Sequence, residues 1–242
     1  MNHNYSNSAK APDRKIEFPI AVKVIMIDLD GTLLNTADDL ALAANLMLKD
    51  LGMPEQSTET IRSYIGKGIQ KLVKRTLTGQ LDGEPDAALF AKALSIYEKH
   101  YADCLSTNTR PYPGVVDGIR IMQEAGLRLT CITNKAEAFT IPLLRATGLY
   151  DRFEMVLSGD SLPRKKPDPM PLMHICKHFD AQPHEALLIG DSLNDAIAAR
   201  AAGCHVFCVP YGYNEGRNVY ELDCDAIVES LVDAAKLVKR FA

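Results

Sequence analysis

The run Asp28-Leu29-Asp30-Gly31-Thr32 sets two carboxylates two residues apart, directly after the apolar stretch from Val22 to Ile27. Side chains two apart on an extended segment leave it on the same side, so both acids face one volume. Gly31 permits a sharp backbone turn, and Thr32 adds a hydroxyl. Such a pair can hold a divalent cation, attack an electrophile and move a proton. The same five residues would also serve as an acidic turn after a strand. What decides between the two is what else the chain brings to that place.

Three further groups of polar residues stand at or near the ends of apolar runs. Thr133 and Asn134 follow Leu127 to Ile132. Lys166 lies in the proline-stiffened loop Arg164-Lys165-Lys166-Pro167-Asp168-Pro169, after Met155 to Leu157. Gly190-Asp191-Ser192 follows Ala186 to Ile189, with Asp195 opening the next helix. Singly, each has a plain structural explanation: a helix cap, a solvated lysine, turn and cap carboxylates. In open α/β sheets, however, ligands bind beyond the carboxyl ends of the strands. Collected on one such edge, the set offers several carboxylates for a cation, with a hydroxyl and an ammonium for a phosphoryl group.

The elements that would collect them are short apolar runs separated by amphipathic helical stretches. Val22–Ile27, Leu127–Ile132, Met155–Leu157, Ala186–Ile189, Val206–Val209 and Ala226–Val228 read as strands. Alternation with helices predicts an α/β fold, a doubly wound parallel sheet of Rossmann-like core. Gly126, Gly148 and Gly203 mark helix ends. A crossover between parallel strands needs about a dozen residues, and the gap from Thr32 to Leu127 is several times that. It holds three helical patterns of its own: from about Asp38 to Gly52, from about Glu59 to Leu77 and from about Asp86 to Cys104. Thr36 and Asp39 are placed for a loose capping box on the first. The prediction is an inserted α-helical cap over residues 37–106, close enough to Asp28 and Asp30 to act as a lid. Residues 21–36 and 107–242 then form the core, and residues 1–20 a disordered tail.

The 242 residues carry a net charge of -4, with 47% hydrophobic and 24% charged. That is an ordinary globular composition, and it lacks the basic surplus of a nucleic-acid binder. No stretch is long and apolar enough to span a membrane. The polar start has no apolar region of a secretory signal. Six cysteines without a CxxC pair read as free thiols of a reducing compartment, so a cytoplasmic location is expected. His174 and His178 stand four apart on a helical pattern, but no third ligand accompanies them, and they read as surface residues.

Asp28-Leu29-Asp30-Gly31-Thr32, then Thr133, then Lys166-Pro167, then Gly190-Asp191-Ser192-Leu193-Asn194-Asp195 resemble the four ordered motifs of the haloacid dehalogenase superfamily of phosphatases. The resemblance runs from about residue 22 to the C-terminus, and the helical insertion is similar to that superfamily's cap. It implies that Asp28 attacks phosphorus to form an aspartyl phosphate, and that Asp30 protonates the leaving oxygen and then activates water. It implies Mg²⁺ on the carboxylates of Asp28 and Asp191 and the backbone carbonyl of Asp30, with Asp195 closely supporting that metal set. Thr133 and Lys166 would hold the phosphoryl oxygens. An acid at position 30 favours phosphate esters over the dehalogenase branch.

Selection of the leaving group falls to the cap. Ile65-Gly66-Lys67-Gly68 interrupts the second helical pattern, and two glycines cost about 1 kcal/mol each inside a helix. A bend, or a helix start that exposes N–H groups, accounts for them. Thr32, Gly66, Lys67, Gly68 and Asn134 are the candidate substrate contacts. Asp28 to Pro54, and Gly190 to Gly203 with Tyr211-Gly212-Tyr213-Asn214-Glu215-Gly216, resemble bacterial phosphoglycolate phosphatases. That resemblance implies a small phosphorylated metabolite as partner, 2-phosphoglycolate first among them, with monomer and homodimer both open. Two other readings use similar residues. A phosphosugar mutase would need a base on the cap, for which no clear candidate exists. A phospho-aspartate switch protein is shorter and has no helical insertion.

Overall fold

The computed structural model describes residues 16–241. Six strands form one parallel sheet in the order β6-β5-β2-β7-β8-β9. These are β2 (Val24–Ile27), β5 (Arg128–Ile132), β6 (Met155–Leu157), β7 (Ala186–Gly190), β8 (His205–Cys208) and β9 (Ala226–Ile227). Successive residues of β2 alternate between two cores, as a sheet buried on both faces requires. Ile25 and Ile27 join the layer holding α5 (Val115–Glu124), α6 (Glu137–Ala146) and α9 (Leu231–Lys236). Val24 and Met26 join the layer holding α7 (Met170–His178) and α8 (Leu193–Ala202). The fold is the doubly wound α/β sheet predicted from the alternation of runs.

The first apolar run is not one strand. It breaks at Lys23 into β1 (Ile20–Val22) and β2, and β1 pairs in parallel with β10 (Val238–Arg240) outside the main sheet. The Lys23 N–H donates to the Glu185 carbonyl and the Phe241 N–H to the Val22 carbonyl, so each side of the break keeps its backbone partners. Of the expected tail, residues 1–15 lie outside the described residues. Residues 16–20 do not form a tail: Ile16 packs on the core, the Phe18 ring meets Phe207 edge-on, and Ile20 is buried in β1. Apolar side chains there find the sheet, and the polar stretch before them does not predict their fate.

The insertion comprises α1 (Ala37–Asp50), α2 (Thr58–Arg62), α3 (Ile69–Thr78) and α4 (Ala87–Cys104). Leu40, Ala44, Met47, Leu48, Ile61, Leu72, Val73, Ala93, Tyr97 and Tyr101 form its core, which Phe139 and Tyr213 of the α/β unit complete. The expected helix from Glu59 to Leu77 is two helices, because Gly66 and Gly68 take φ of +118° and +83°, which no helix accommodates. The chain enters through β3 (Leu34–Asn35) and returns through β4 (Arg110–Pro111), which pair antiparallel and make a two-stranded hinge. The expected Thr36–Asp39 capping box is absent. Thr36 Oγ1 donates to Asp30 Oδ1 at 2.8 Å, whereas the fully buried Asp39 carboxylate accepts the Asn108 and Thr109 N–H groups at 2.8 Å. Asp39 therefore clamps the start of α1 to the returning segment rather than capping its own helix.

Candidate active site

β2, β5 and β7 end side by side, so the residues that follow them share one edge of the sheet. Lys166, delivered by the loop after β6, reaches into that edge with its side chain buried. Its Nζ lies 2.8 Å from Asp28 Oδ1 and 2.7 Å from Asp195 Oδ1, and donates to the Ile132 carbonyl at 3.1 Å. Burial disfavours the ammonium, but Asp195 and Asp28 outweigh it and hold the group above its ordinary range. Asp28 is pushed up to about 7, chiefly by burial and against the pull of Lys166. Asp191 is driven well above the usual carboxylate range by burial, then by Asp195 and Asp28.

Asp28, Asp191 and Asp195 each bring one carboxylate oxygen to within 4.8 Å of the others, all buried. Clustered hard oxygen donors whose charges repel in a dry place fit a small divalent cation such as Mg²⁺. Glycines make the cradle. A Cβ at Gly31 or Gly212 would collide with the Asp191 carboxylate, and one at Gly190 with that of Asp195. Asp191 is oriented by Thr32 Oγ1, which donates at 3.1 Å, and by the Tyr213 N–H. Asp195 Oδ2 accepts from Ser192 Oγ at 2.7 Å and from the Ser192 N–H at 3.1 Å. With its other oxygen on Lys166, Asp195 is engaged by the protein on both sides.

Asp28, Asp30, Thr133 and Asn134 line one pocket with Leu40, Ile65, Gly66, Gly68, Ile69 and Leu72 of the insertion. The loop before α3 is tied over it: Asn134 Nδ2 and Asn194 Nδ2 donate to the Gly66 carbonyl at 3.1 and 3.2 Å. Asn134 Nδ2 also donates to the Lys166 carbonyl at 2.9 Å, so its amide joins three segments of the site.

Two expected substrate contacts lie elsewhere. Thr32 is fully buried behind Asp191, where its hydroxyl steadies that carboxylate. Lys67 is not among the residues lining the pocket, and its ammonium pairs with Glu215 at 3.4 Å. One residue of the site went unread. Lys135 is buried, lines the pocket and meets Asp30 at 2.9 Å on Oδ1 and 3.0 Å on Oδ2. A signal for it exists: Thr133 and Lys135 are two apart beyond a strand end. His174 and His178 are exposed on α7. No helix among the described residues is long and apolar enough to cross a membrane.

A parallel sheet with a helical insertion after β2, and an acidic, lysine-neutralised cluster at its carboxyl edge, defines a class of hydrolase. The chain belongs to the haloacid dehalogenase-like hydrolase family, which matches residues 25–209. It is 65% identical over 225 residues to the phosphoglycolate phosphatase of Nitrosospira multiformis, spanning 93% of this chain and 99% of that one. It is 61% identical over 223 residues to that of Thiobacillus denitrificans, spanning 92% and 98%. Among solved structures, a predicted phosphoglycolate phosphatase from Haemophilus somnus superposes with a TM-score of 0.84 at 34% identity, covering 89% of this chain and 97% of that one.

Proposed function

We propose that this chain hydrolyses 2-phosphoglycolate to glycolate and phosphate through an aspartyl phosphate on Asp28. The observation that carries the chemistry is the buried Lys166 between Asp28 and Asp195. A carboxylate can approach a polyanionic phosphoryl group only where positive charge is close and water is excluded. The substrate rests on the two relatives above 60% identity that bear that name.

Asp28 attacks phosphorus in line, and its Lys166 partner neutralises charge on the equatorial oxygens. Thr133, which lines the pocket and whose hydroxyl accepts the Lys135 N–H at 3.2 Å, holds a phosphoryl oxygen. Asp30 gives its proton to the leaving oxygen and later takes one from water, with Thr36 and Lys135 fixing its position. Asp28, Asp191 and the backbone carbonyl of Asp30 would hold Mg²⁺, with Asp195 as support; when bound it supplies Lewis-acid stabilisation of the transferring group. The Gly66 and Gly68 segment and Asn134 close the far side. A cytoplasmic setting belongs to the same reading, since the six cysteines are all free thiols.

The test is phosphate release from 2-phosphoglycolate beside a panel of small phosphomonoesters, with Mg²⁺ and with chelator. Mg²⁺-dependent preference for 2-phosphoglycolate, abolished in Asp28→Asn, is the expected result. Activity confined to other esters would discard the substrate, and no release from any ester would turn attention to the mutase or switch readings.

A further inference from the structure

The pocket presents a mixed wall to whatever the phosphoryl group carries. On the insertion side Leu40, Ile65, Ile69 and Leu72 are apolar and offer no side-chain donor. A second anionic group on the substrate would lose its water there and needs a partner. Among the described residues, Lys135 is the one cationic side chain in the lining. Lys67 is committed to Glu215, and Lys165 Nζ donates to the Lys67 carbonyl outside the pocket.

The position of Lys135 is as informative as its charge. Its Nζ lies 2.9 and 3.0 Å from the two Asp30 oxygens, and 4.9 Å from the centre of the Tyr101 ring of α4. The group that protonates a leaving oxygen must touch that oxygen. In a 2-phosphoglycolate-like ester one methylene separates the ester oxygen from the carboxylate carbon, so the carboxylate oxygens fall roughly 3 Å from it by ordinary bond lengths. A substrate seated for transfer therefore brings its carboxylate beside Asp30, where the ammonium stands. An ammonium has three N–H donors, and Asp30 occupies two of them. The buried stem and the Tyr101 face leave the head little freedom to turn elsewhere.

We propose that Lys135 binds the substrate's carboxylate and sets the preference for a carboxylate-bearing phosphate ester over a neutral one of equal size. The proposal rests on the phosphoglycolate reading and adds the residue that would impose it. It also ties recognition to closure, because Lys135 touches both the acid of the core and an aromatic face of the insertion.

The test compares kcat/KM for 2-phosphoglycolate and for ethyl phosphate, which lacks the carboxylate, in wild type, Lys135→Met and Lys135→Arg. Loss of the ammonium beside Asp30 lowers both substrates in Lys135→Met, so the readout is the ratio. We expect the ratio to fall by about ten-fold to a hundred-fold, the order set by losing a charged hydrogen-bond partner, and Lys135→Arg to restore part of it. Glycolate, as a competitive inhibitor of ethyl phosphate hydrolysis, should weaken in Lys135→Met by a similar factor. A wild-type preference for 2-phosphoglycolate that survives unchanged in Lys135→Met overturns the assignment of Lys135 and leaves the substrate intact. A wild type without that preference overturns the substrate reading, and this inference with it. If Lys135→Met does not fold, as judged by thermal melting, the Lys135→Gln variant and the glycolate measurement carry the same comparison.

Discussion

The Tyr213 hydroxyl accepts the Thr36 N–H at 2.8 Å and so caps helix α1 from outside the insertion. It also accepts the Ala37 N–H at 3.0 Å and donates to Asn35 Oδ1 at 2.8 Å, while the Tyr213 N–H holds Asp191. One residue therefore joins a carboxylate of the cluster to the first turn of the insertion. Tyr213→Phe leaves two N–H groups at the hinge without their acceptor, and should cost about 1–2 kcal/mol in urea unfolding. Thr36→Val keeps the cap but removes the hydroxyl on Asp30, so it should lower kcat with little change in unfolding midpoint. Equal stability losses in both variants would show that the cap does not come from Tyr213.

Gly31 combines φ of +90° with a closed approach to Asp191. The backbone conformation alone charges any other residue about 1–2 kcal/mol. An added methyl must also displace the carboxylate. Gly31→Ala should therefore raise the Mg²⁺ concentration needed for half-maximal activity as well as lower stability. Gly52 is the control: its φ is +68°, with nothing within 4 Å of an added Cβ. Gly52→Ala should lose stability and keep the wild-type Mg²⁺ dependence. A shared loss of stability with no difference in Mg²⁺ dependence would separate Gly31 from the cluster.

Glu215 receives two cations of the insertion, and they are not equivalent. Arg75 is fully buried, 2.6 Å from Glu215, and its other nitrogens donate to the carbonyls of Tyr64 and Leu81 at 2.9 Å. Lys67, 39% exposed, stands 3.4 Å from the same carboxylate. Removing Arg75 leaves Glu215 only the more exposed Lys67 and Arg217 and takes the donors from the Tyr64 and Leu81 carbonyls, so Arg75→Met should destabilise by about 2–4 kcal/mol. Lys67→Ala should cost less than about 1 kcal/mol, as exposed pairs do, and leave kcat/KM near wild type. A large activity loss in Lys67→Ala at unchanged stability would return that lysine to the substrate.

The four polar stretches were legible because each is local: a few residues at the end of an apolar run, on a sheet whose parallel order follows from alternation. The insertion was legible from the length of the gap between Thr32 and Leu127. What escaped depends on segments far apart in the chain. Lys135 matters through Asp30, over a hundred positions away, and its two-residue spacing from Thr133 does not by itself tell it from a solvated lysine. Asp39 resembles a helix-start acid until Asn108 and Thr109 arrive to share it. Thr32 and Lys67 were polar residues beside the site whose partners, Asp191 and Glu215, only tertiary structure supplies. The strand break at Lys23 had only that one charged residue to mark it, between Val22 and Val24, which are both fully buried.

Asp225 gives a pH prediction away from the active site. Its side chain is 1% exposed, 2.7 Å from Arg200 and 3.2 Å from His205, and it accepts the Val206 N–H at 2.9 Å. Burial pushes its carboxyl up, but the His205, Arg200 and Val206 donors outweigh it and hold it at about 2. The unfolded chain titrates near the ordinary value of about 3.9. Between those values the unfolded state binds the proton more readily, so stability falls as the pH falls. The contribution is fully present above about pH 4 and is lost toward pH 2, on the order of 1–2 kcal/mol after solvent screening. Asp225→Asn removes this titration and strands Arg200 against Asp223 alone. Relative to wild type it should be less stable at pH 6, with the gap narrowing as the pH drops below 4. A constant gap in unfolding free energy over that window would place the low-pH loss on other carboxylates.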